Sequence, residues 1–332
     1  MRRRSAPAYA DVMELTWRPL ALGDAEQLAT VFAAAEEVDR TGEHYTAADL
    51  REEMQGPDLD LALASTGGWA GDRLVSYAAI RRRDAADPVH MPRVEAMTHP
   101  EFRTPDVAAH LTTWFLDAGK RVHERAFPDA PLELHAGAHE NEHWYLDALA
   151  RAGFRRARSF VEMRADLSAL PPARPLSADY EVVAFDERYD DLTRVARNAT
   201  FSGHWGSAEL SPEAWRHRIT GAKDFRGDLS FLLLTPAHDA VVGFVLSAFH
   251  PSDYAGTGVK ELYVDYVGTL SELRGRGVAT ALLGHTLAHA RDAGFERSAL
   301  SVDTDNAHSA VGIYERCGYE VADTYYGYVL PI

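Results

Sequence analysis

Two stretches of this 332-residue chain end alike at one fixed displacement, and that repetition limits the folds open to it. Glu140-Asn-Glu-His-Trp-Tyr-Leu-Asp-Ala-Leu-Ala-Arg-Ala-Gly-Phe154 lies over Asp305-Asn-Ala-His-Ser-Ala-Val-Gly-Ile-Tyr-Glu-Arg-Cys-Gly-Tyr319. Asn141, His143, Arg151 and Gly153 thereby match Asn306, His308, Arg316 and Gly318, all shifted by 165 positions (306 − 141 = 165). Both pieces read as a capped helix closed by glycine and followed by an aromatic-led strand. Leu15-Thr-Trp-Arg-Pro-Leu20 and Tyr180-Glu-Val-Val-Ala-Phe185, both short strand candidates, share the displacement (180 − 15 = 165). Repetition at both ends predicts two copies of one α/β domain.

The segment 167–178 carries three prolines and little periodicity, so it reads as a linker. This divides the chain into a first domain over 13–166 and a second over 179–332, behind a frayed basic tail at 1–12. Arg2 to Arg4 resemble the start of an export signal, but Ser5 to Asp11 supply no apolar stretch after them. An apolar fraction of 46% is enough for real cores. One cysteine, Cys317, excludes an intramolecular disulfide, and no apolar run is long enough for a bilayer. Together these predict a soluble cytoplasmic protein without a membrane partner. A net charge of −16 argues against a nucleic-acid partner and suits small cationic substrates such as amines.

Chemistry concentrates in the second copy. Val264-Asp-Tyr-Val-Gly-Thr-Leu270 is β-branched and aromatic, hence a strand, and Arg274-Gly275-Arg276-Gly277 follows. From Val278 a helical pattern runs to Gly294, with Leu282, Leu283 and Leu287 on one face. Glycines let consecutive backbone N–H groups converge, and a helix N-terminus adds partial positive charge, so this turn can cradle a pyrophosphate. A Gly-x-Gly turn alone also fits a plain structural turn. A dinucleotide fold would place its glycines directly after an early strand with more βαβ units downstream, and too little chain remains for that.

Arg274-x-x-Gly277-x-Ala279 between a strand and a helix resembles the coenzyme A signature of the GNAT superfamily of acyl-CoA-dependent N-acyltransferases. The strand from Ser298 to Asp303, then Asn306 and Tyr314, resemble its second cofactor motif. The layout is similar to the family's tandem, two-domain members. The resemblance implies two α+β domains, each a mixed, mostly antiparallel sheet flanked by helices. It implies acetyl-CoA or another acyl-CoA as co-substrate, and no metal. Backbone groups of Val267 and Thr269 would pair with pantetheine where the neighbouring strand splays away. Those of Gly275, Gly277, Ala279 and Thr280 would hold pyrophosphate, with Arg274 and Arg276 adding charge. Asn306 would bond the pantetheine arm, and Tyr314 would stand near the thioester sulfur. A helix cap and a half-buried helix aromatic are the alternatives for those two.

An ammonium must lose a proton before it attacks. The family often has an acid on the strand before the turn, where this chain has Tyr263. Asp265 and Glu261 share that strand face, and Asp265 is the preferred base; both also fit solvated surface acids. His204 and Trp205 fall where the family places substrate-facing elements.

The first copy diverges after Thr98-His-Pro-Glu-Phe-Arg103: Thr104 and Asp106 replace Gly275 and Gly277, Pro105 removes an N–H, and Leu149 stands at the place of Tyr314. It is expected to wall the cleft or stand in for a dimer partner, so that the chain works as a monomeric pseudo-dimer. Arg103 and the strand backbone leave residual cofactor binding open. His135, His139 and His143 recur at steps of four, but Gly137 and a strand-to-helix switch argue against a metal face. The expected reaction moves an acyl group to the primary amine of a small molecule or peptide. The alternatives are a non-catalytic acyl-CoA sensor or scaffold, and transfer from an acyl carrier protein. Acceptor identity and acyl length are not encoded in these motifs.

Overall fold

The computed structural model describes residues 14–172, 174–175, 180–305 and 310–332. The first half runs β1 (Thr16–Arg18), α1 (Ala25–Asp39), α2 (Ala47–Met54), α3 (Leu61–Ala64), β2 (Ser65–Ala70), β3 (Arg73–Arg81) and β4 (Arg93–Thr98). It continues with α4 (Pro105–Ala126), β5 (Glu133–His139), α5 (His143–Arg151) and β6 (Arg155–Asp166). The second half repeats the plan as β7 (Glu181–Ala184), α6 (Asp190–Phe201), α7 (Pro212–Trp215), β8 (Phe231–Leu234), β9 (Val241–Ala248) and α8 (Pro251–Thr257). It ends with β10 (Glu261–Thr269), α9 (Val278–Asp292), β11 (Arg297–Asp303), α10 (Val311–Glu315) and β12 (Tyr319–Pro331).

All twelve strands form one mixed sheet in the order β1-β2-β3-β4-β5-β12-β6-β11-β10-β9-β8-β7. Only β4/β5 and β10/β11 run parallel, as the helix between the members of each pair requires. The order shows a reciprocal exchange: each half's last strand lies beside the fifth strand of the other half. β12 pairs with β5 from Tyr325↔His139 to Pro331↔Glu133, and β6 pairs with β11 from Arg297↔Asp166 to Asp303↔Phe160. β6 and β12 then pair with each other at the centre.

Packing follows the exchange. Met163, Ala165 and Leu167, from the first half's last strand and the turn after it, sit in the second core with Leu262, Leu282, Leu287 and Leu300. Tyr328 and Leu330 of β12 pack in return on the first core, around Leu111, Phe115 and Leu134. The period-two alternation of β6 makes this possible: Val161, Met163 and Ala165 face the core, while Phe160, Glu162 and Arg164 face the opposite side of the sheet. Leu167 is fully buried, so the Pro-rich segment begins inside the second core. β5 ends at His139 and α5 begins at His143, so the three histidines spaced by four share no helix.

Candidate active site

β10 and β11 pair only from Glu261↔Arg297 to Tyr263↔Ala299, and beyond that point they part. Val267 and Thr269 keep their partners on β9, at Val245 and Gly243, and have none on the β11 side. One edge of β10 is therefore open over the length an extended amide arm needs. At the mouth of the opening the β10/β9 register slips between Val264 and Tyr266, which makes Asp265 the extra residue of a bulge. Bulges bend a strand and re-aim a side chain, and they recur beside active sites.

The open strand leads into the glycine turn. Gly275 and Gly277 hold φ of +73° and +79°, where a Cβ is strained, and Gly277 is the N-cap of α9. The first helical bond of α9 runs from Ala281 N to Gly277 O at 3.0 Å. Among the described residues, the six N–H groups from Gly275 to Thr280 have no backbone acceptor. Such a run at a helix start is the donor array an anion takes. Arg274, Gly275 and Arg276 are exposed, Ala279 is half-buried and Thr280 buried. Arg174 of the Pro-rich segment brings a guanidinium nitrogen within 3.6 Å of where a Cβ on Gly277 would lie. Sequence reading passed over that arginine because nothing local links it to the turn.

Asp265 is open to solvent, yet protein surrounds it densely, as for a side chain lining a cleft. Burial pushes its carboxyl up to about 6, against a lowering contribution from His250. Around Tyr263, on the same strand, the exchanged strands bring in acids. Glu162 on β6 lies opposite Ser301 of β11 and Asp323 of β12. It is 9% exposed, and burial, opposed by Arg164 and reinforced by Glu261, Asp323 and Glu43, lifts it to about 7. Arg164 bonds Glu162, reaches Asp323 at 2.7 Å and stands 3.8 Å from Glu261. Glu261 is itself engaged by Arg297. The loop after α1 closes this side: Tyr325 donates to Glu43 at 3.1 Å, and His44 N donates to Asp253 of α8 at 2.7 Å. Burial, with Glu162, Asp265, Glu43 and Glu261 around it, holds the Tyr263 hydroxyl well above its ordinary range, so it stays protonated. Sequence reading missed Glu162; its only local signal is the polar face of a strand destined for the sheet centre.

Tyr314 lies in α10, 9% exposed, with its ring centroid 6.1 Å from that of Tyr319. Burial pushes its hydroxyl to about 12, and no hydrogen-bond partner for it occurs among the described residues. Asn306 lies outside the described residues. His204 rests on Phe201, with ring centroids 4.5 Å apart. Trp205 reaches over the first half's strands, stacked on His135 at 4.9 Å and filling the space over Gly327, where a Cβ would lie 2.8 Å from the indole.

The first half keeps the splay and loses the rest. β4 pairs with β5 only at Arg93↔His135 and Val94↔Ala136, and its register with β3 is unbroken, so it has no bulge. Thr104 caps α4 in place of an open turn: its hydroxyl accepts from Val107 N and its carbonyl from Ala108 N. Arg103 is bonded to Asp39 at 2.7 Å and to the Thr98 carbonyl at 3.1 Å. Leu149 is fully buried.

Comparison with known proteins agrees with this geometry. Residues 191–319 match the model of the acetyltransferase (GNAT) family. Mycothiol acetyltransferase of Salinispora arenicola is 30% identical over 309 residues, covering 91% of this chain and 90% of that protein. That of Paenarthrobacter aurescens is 30% identical over 236 residues, 70% and 68% of the two chains. Among solved structures, a GCN5-related N-acetyltransferase from Sphaerobacter thermophilus superposes with a TM-score of 0.73 at 22% identity, covering 96% of each chain. A tandem GNAT protein from the clavulanic acid biosynthesis pathway gives 0.67 at 17% identity, covering 96% of this chain and 98% of that one. The open strand edge, the bulge and the unpaired amide turn thus belong to a tandem acetyltransferase, and the chain is a member of the GNAT acetyltransferase family.

Proposed function

We propose that the second half transfers an acetyl group from acetyl-CoA to the primary amine of a small, cationic acceptor held between the two halves. The observation that carries this reading is the bulge that sets Asp265 at the mouth of the open β10 edge, two residues from Tyr263, which Glu162, Glu43 and Glu261 surround. The co-substrate supplies the acetyl group as a thioester. Its pantetheine arm would lie along Val267 and Thr269, and its pyrophosphate on Gly275 to Thr280 with Arg274, Arg276 and Arg174 nearby. Six unpaired N–H groups fit that group: four are those a helix start leaves free, and Gly275 and Arg276 extend the run into the turn.

Glu162, with Glu43 and Asp323 around it, draws in and orients the ammonium. Asp265 then takes its proton, directly or through one water, because its carboxyl at about 6 is ionised at neutral pH and still basic enough to accept. Glu261 is bound to Arg297 and serves to position that guanidinium. Tyr314, protonated at neutral pH, donates towards the sulfur as the thiol departs. His204 and Trp205 shape the first-half side of the trough.

The names of the curated relatives make the mycothiol-type acceptor the first to try. In chain terms we place the units at 13–166 and 179–332 around a linker at 167–178. The molecule is proposed to act as a cytoplasmic monomer in which each unit is completed by the other's last strand. No helix among the described residues is long and apolar enough to cross a membrane. The test is release of free coenzyme A thiol with a panel of primary amines, in wild type and Asp265→Asn. Amine-dependent release that drops in the variant supports the reading. Release that ignores the amine, or turnover with an acylated carrier protein alone, defeats it.

A further inference from the structure

Three arginines gather where the halves meet, along the sheet from Glu162 and with Tyr266 of β10 among their neighbours. Counting along β12 from Asp323, opposite Glu162, to Val329, opposite His135, gives six residues, or about 20 Å of strand. Here Arg83 follows β3, Arg93 opens β4, and Arg218 comes from the second half. Arg218 is bonded to Asp58 at 2.5 Å, and the same carboxylate stands 3.6 Å from Arg81, which also holds Glu53 and Glu95. Asp58 thus pairs with both arginines, while its Oδ1 accepts no hydrogen bond among the described residues. Arg83 and Arg93 have neither a hydrogen bond nor an ion pair among the described residues, and the Nε of Arg83 is buried without an acceptor.

Burial, followed by the charges of Arg93 and Arg218 and opposed by Tyr266 and Asp58, lowers Arg83 to about 10, so it remains charged at neutral pH. His135, stacked under Trp205, is likewise held below its ordinary value by burial, with Arg83 and Arg93 adding to the effect against a 2.7 Å bond to Glu133. Arg93 is exposed and lies flat over β5, with a guanidinium nitrogen 3.2 Å from where a Cβ on Gly137 would stand. A buried guanidinium whose Nε has no acceptor is costly, and planar guanidinium groups without hydrogen-bond partners, here Arg83 and Arg93, are suited to bidentate capture of an oxyanion.

We propose that Arg83, Arg93 and Arg218 form an inter-half pocket for a small oxyanion, a carboxylate or phosphate group. The repeat gives the pocket its place. Arg93↔His135 opens the parallel β4/β5 contact as Glu261↔Arg297 opens that of β10/β11. The acidic acceptor end of the second half thus has a first-half counterpart of opposite charge. The pocket draws on side chains of both halves and adjoins the proposed trough at Trp205, yet phosphate binding there does not require the acyl-transfer reading to hold.

The experiment is calorimetric titration of the full chain with inorganic phosphate at low ionic strength, without coenzyme A. It compares wild type, Gly277→Asp (which blocks the glycine turn), Arg93→Gln and the double variant Arg83→Gln/Arg93→Gln. The proposal expects saturable binding of one phosphate in Gly277→Asp, at least tenfold weaker binding in Arg93→Gln, and none in the double variant. Should the double variant fail to fold, Arg93→Gln decides, since its side chain is exposed. Stronger competition by acetate than by sulfate assigns the ligand to carboxylates, and the reverse to phosphates. Binding lost in Gly277→Asp and kept in the arginine variants, or no saturable binding in wild type, overturns the proposal.

Discussion

Replacing Gly277 by Asp tests the turn through two separable effects. The first is backbone strain: φ is +79°, and any L side chain there costs about 1–2 kcal/mol of folding stability. Space is not the obstacle, because the nearest atom to a Cβ is the Arg174 guanidinium at 3.6 Å. The second is charge. A carboxylate among the free N–H groups removes at least one charged hydrogen bond to pyrophosphate, worth about 1.5–3 kcal/mol. It also adds repulsion of about 1 kcal/mol at roughly 4 Å in water. The sum, about 2.5–4 kcal/mol, weakens acetyl-CoA binding by roughly 10²–10³-fold. Gly277→Ala carries the strain without the charge, so it should lower Tm by a few degrees and change affinity far less. Calorimetry with acetyl-CoA and thermal denaturation on both variants separate the two. Wild-type affinity in Gly277→Asp would refute the pyrophosphate assignment, and equal losses in both variants would mean that geometry alone matters.

Asp265→Asn should remove the rise in kcat/KM that wild type shows as pH passes about 6, with acetyl-CoA affinity unchanged. Because folding raises that carboxyl's pKa, ionisation in the native state is destabilising. The relative stability it lends at low pH is lost as pH rises from about 4 to about 6, so the Asn variant should gain Tm over wild type at pH 8, about half as much at pH 5, and little at pH 3.5. Glu162→Gln should raise the acceptor KM by roughly tenfold in steady-state assays with acetyl-CoA affinity intact, a loss of about 1.4 kcal/mol in ammonium binding. Tyr314→Phe keeps the ring and deletes the hydroxyl, so turnover should fall roughly tenfold or more at unchanged Tm. Gly256→Ala should destabilise the closed cleft, since a Cβ there would lie 2.3 Å from the His44 ring; lower Tm and a higher acceptor KM would report it.

The parts of the site that depend on neighbours in sequence were legible in it. The strand–turn–helix from Val264 to Asp292 needs only β-branched residues, two glycines with positive φ and an apolar helix face, and all are contiguous. The loss of the first half's cradle was legible for the same reason, since Pro105 and Asp106 sit in the turn itself. Arg103, by contrast, looked available from sequence and is bound to Asp39, 64 positions away, because a helix from elsewhere in the fold supplies the partner. The bulge at Asp265 depends on register against β9, which residue types do not state. Glu162 was illegible for a stronger reason. Its meaning depends on which strand lies beside β6, and strands with the same alternation pair equally well with either fifth strand.

The exchange explains why a half without a cradle belongs to a working enzyme. If each unit kept its own last strand, β11 would lie beside β12, and the acids facing the β10 opening would all come from the second half. With the exchange, β6 supplies Glu162 and Arg164 to the second half's cleft, and the loop after α1 supplies Glu43. On the proposed reading, the first half thus contributes to acceptor recognition although it has no glycine cradle. The charges at the two ends then follow from one geometry. Related positions of a duplicated fold, Glu261 and Arg93, thus carry opposite charge, acidic beside the proposed amine site and basic in the proposed oxyanion pocket.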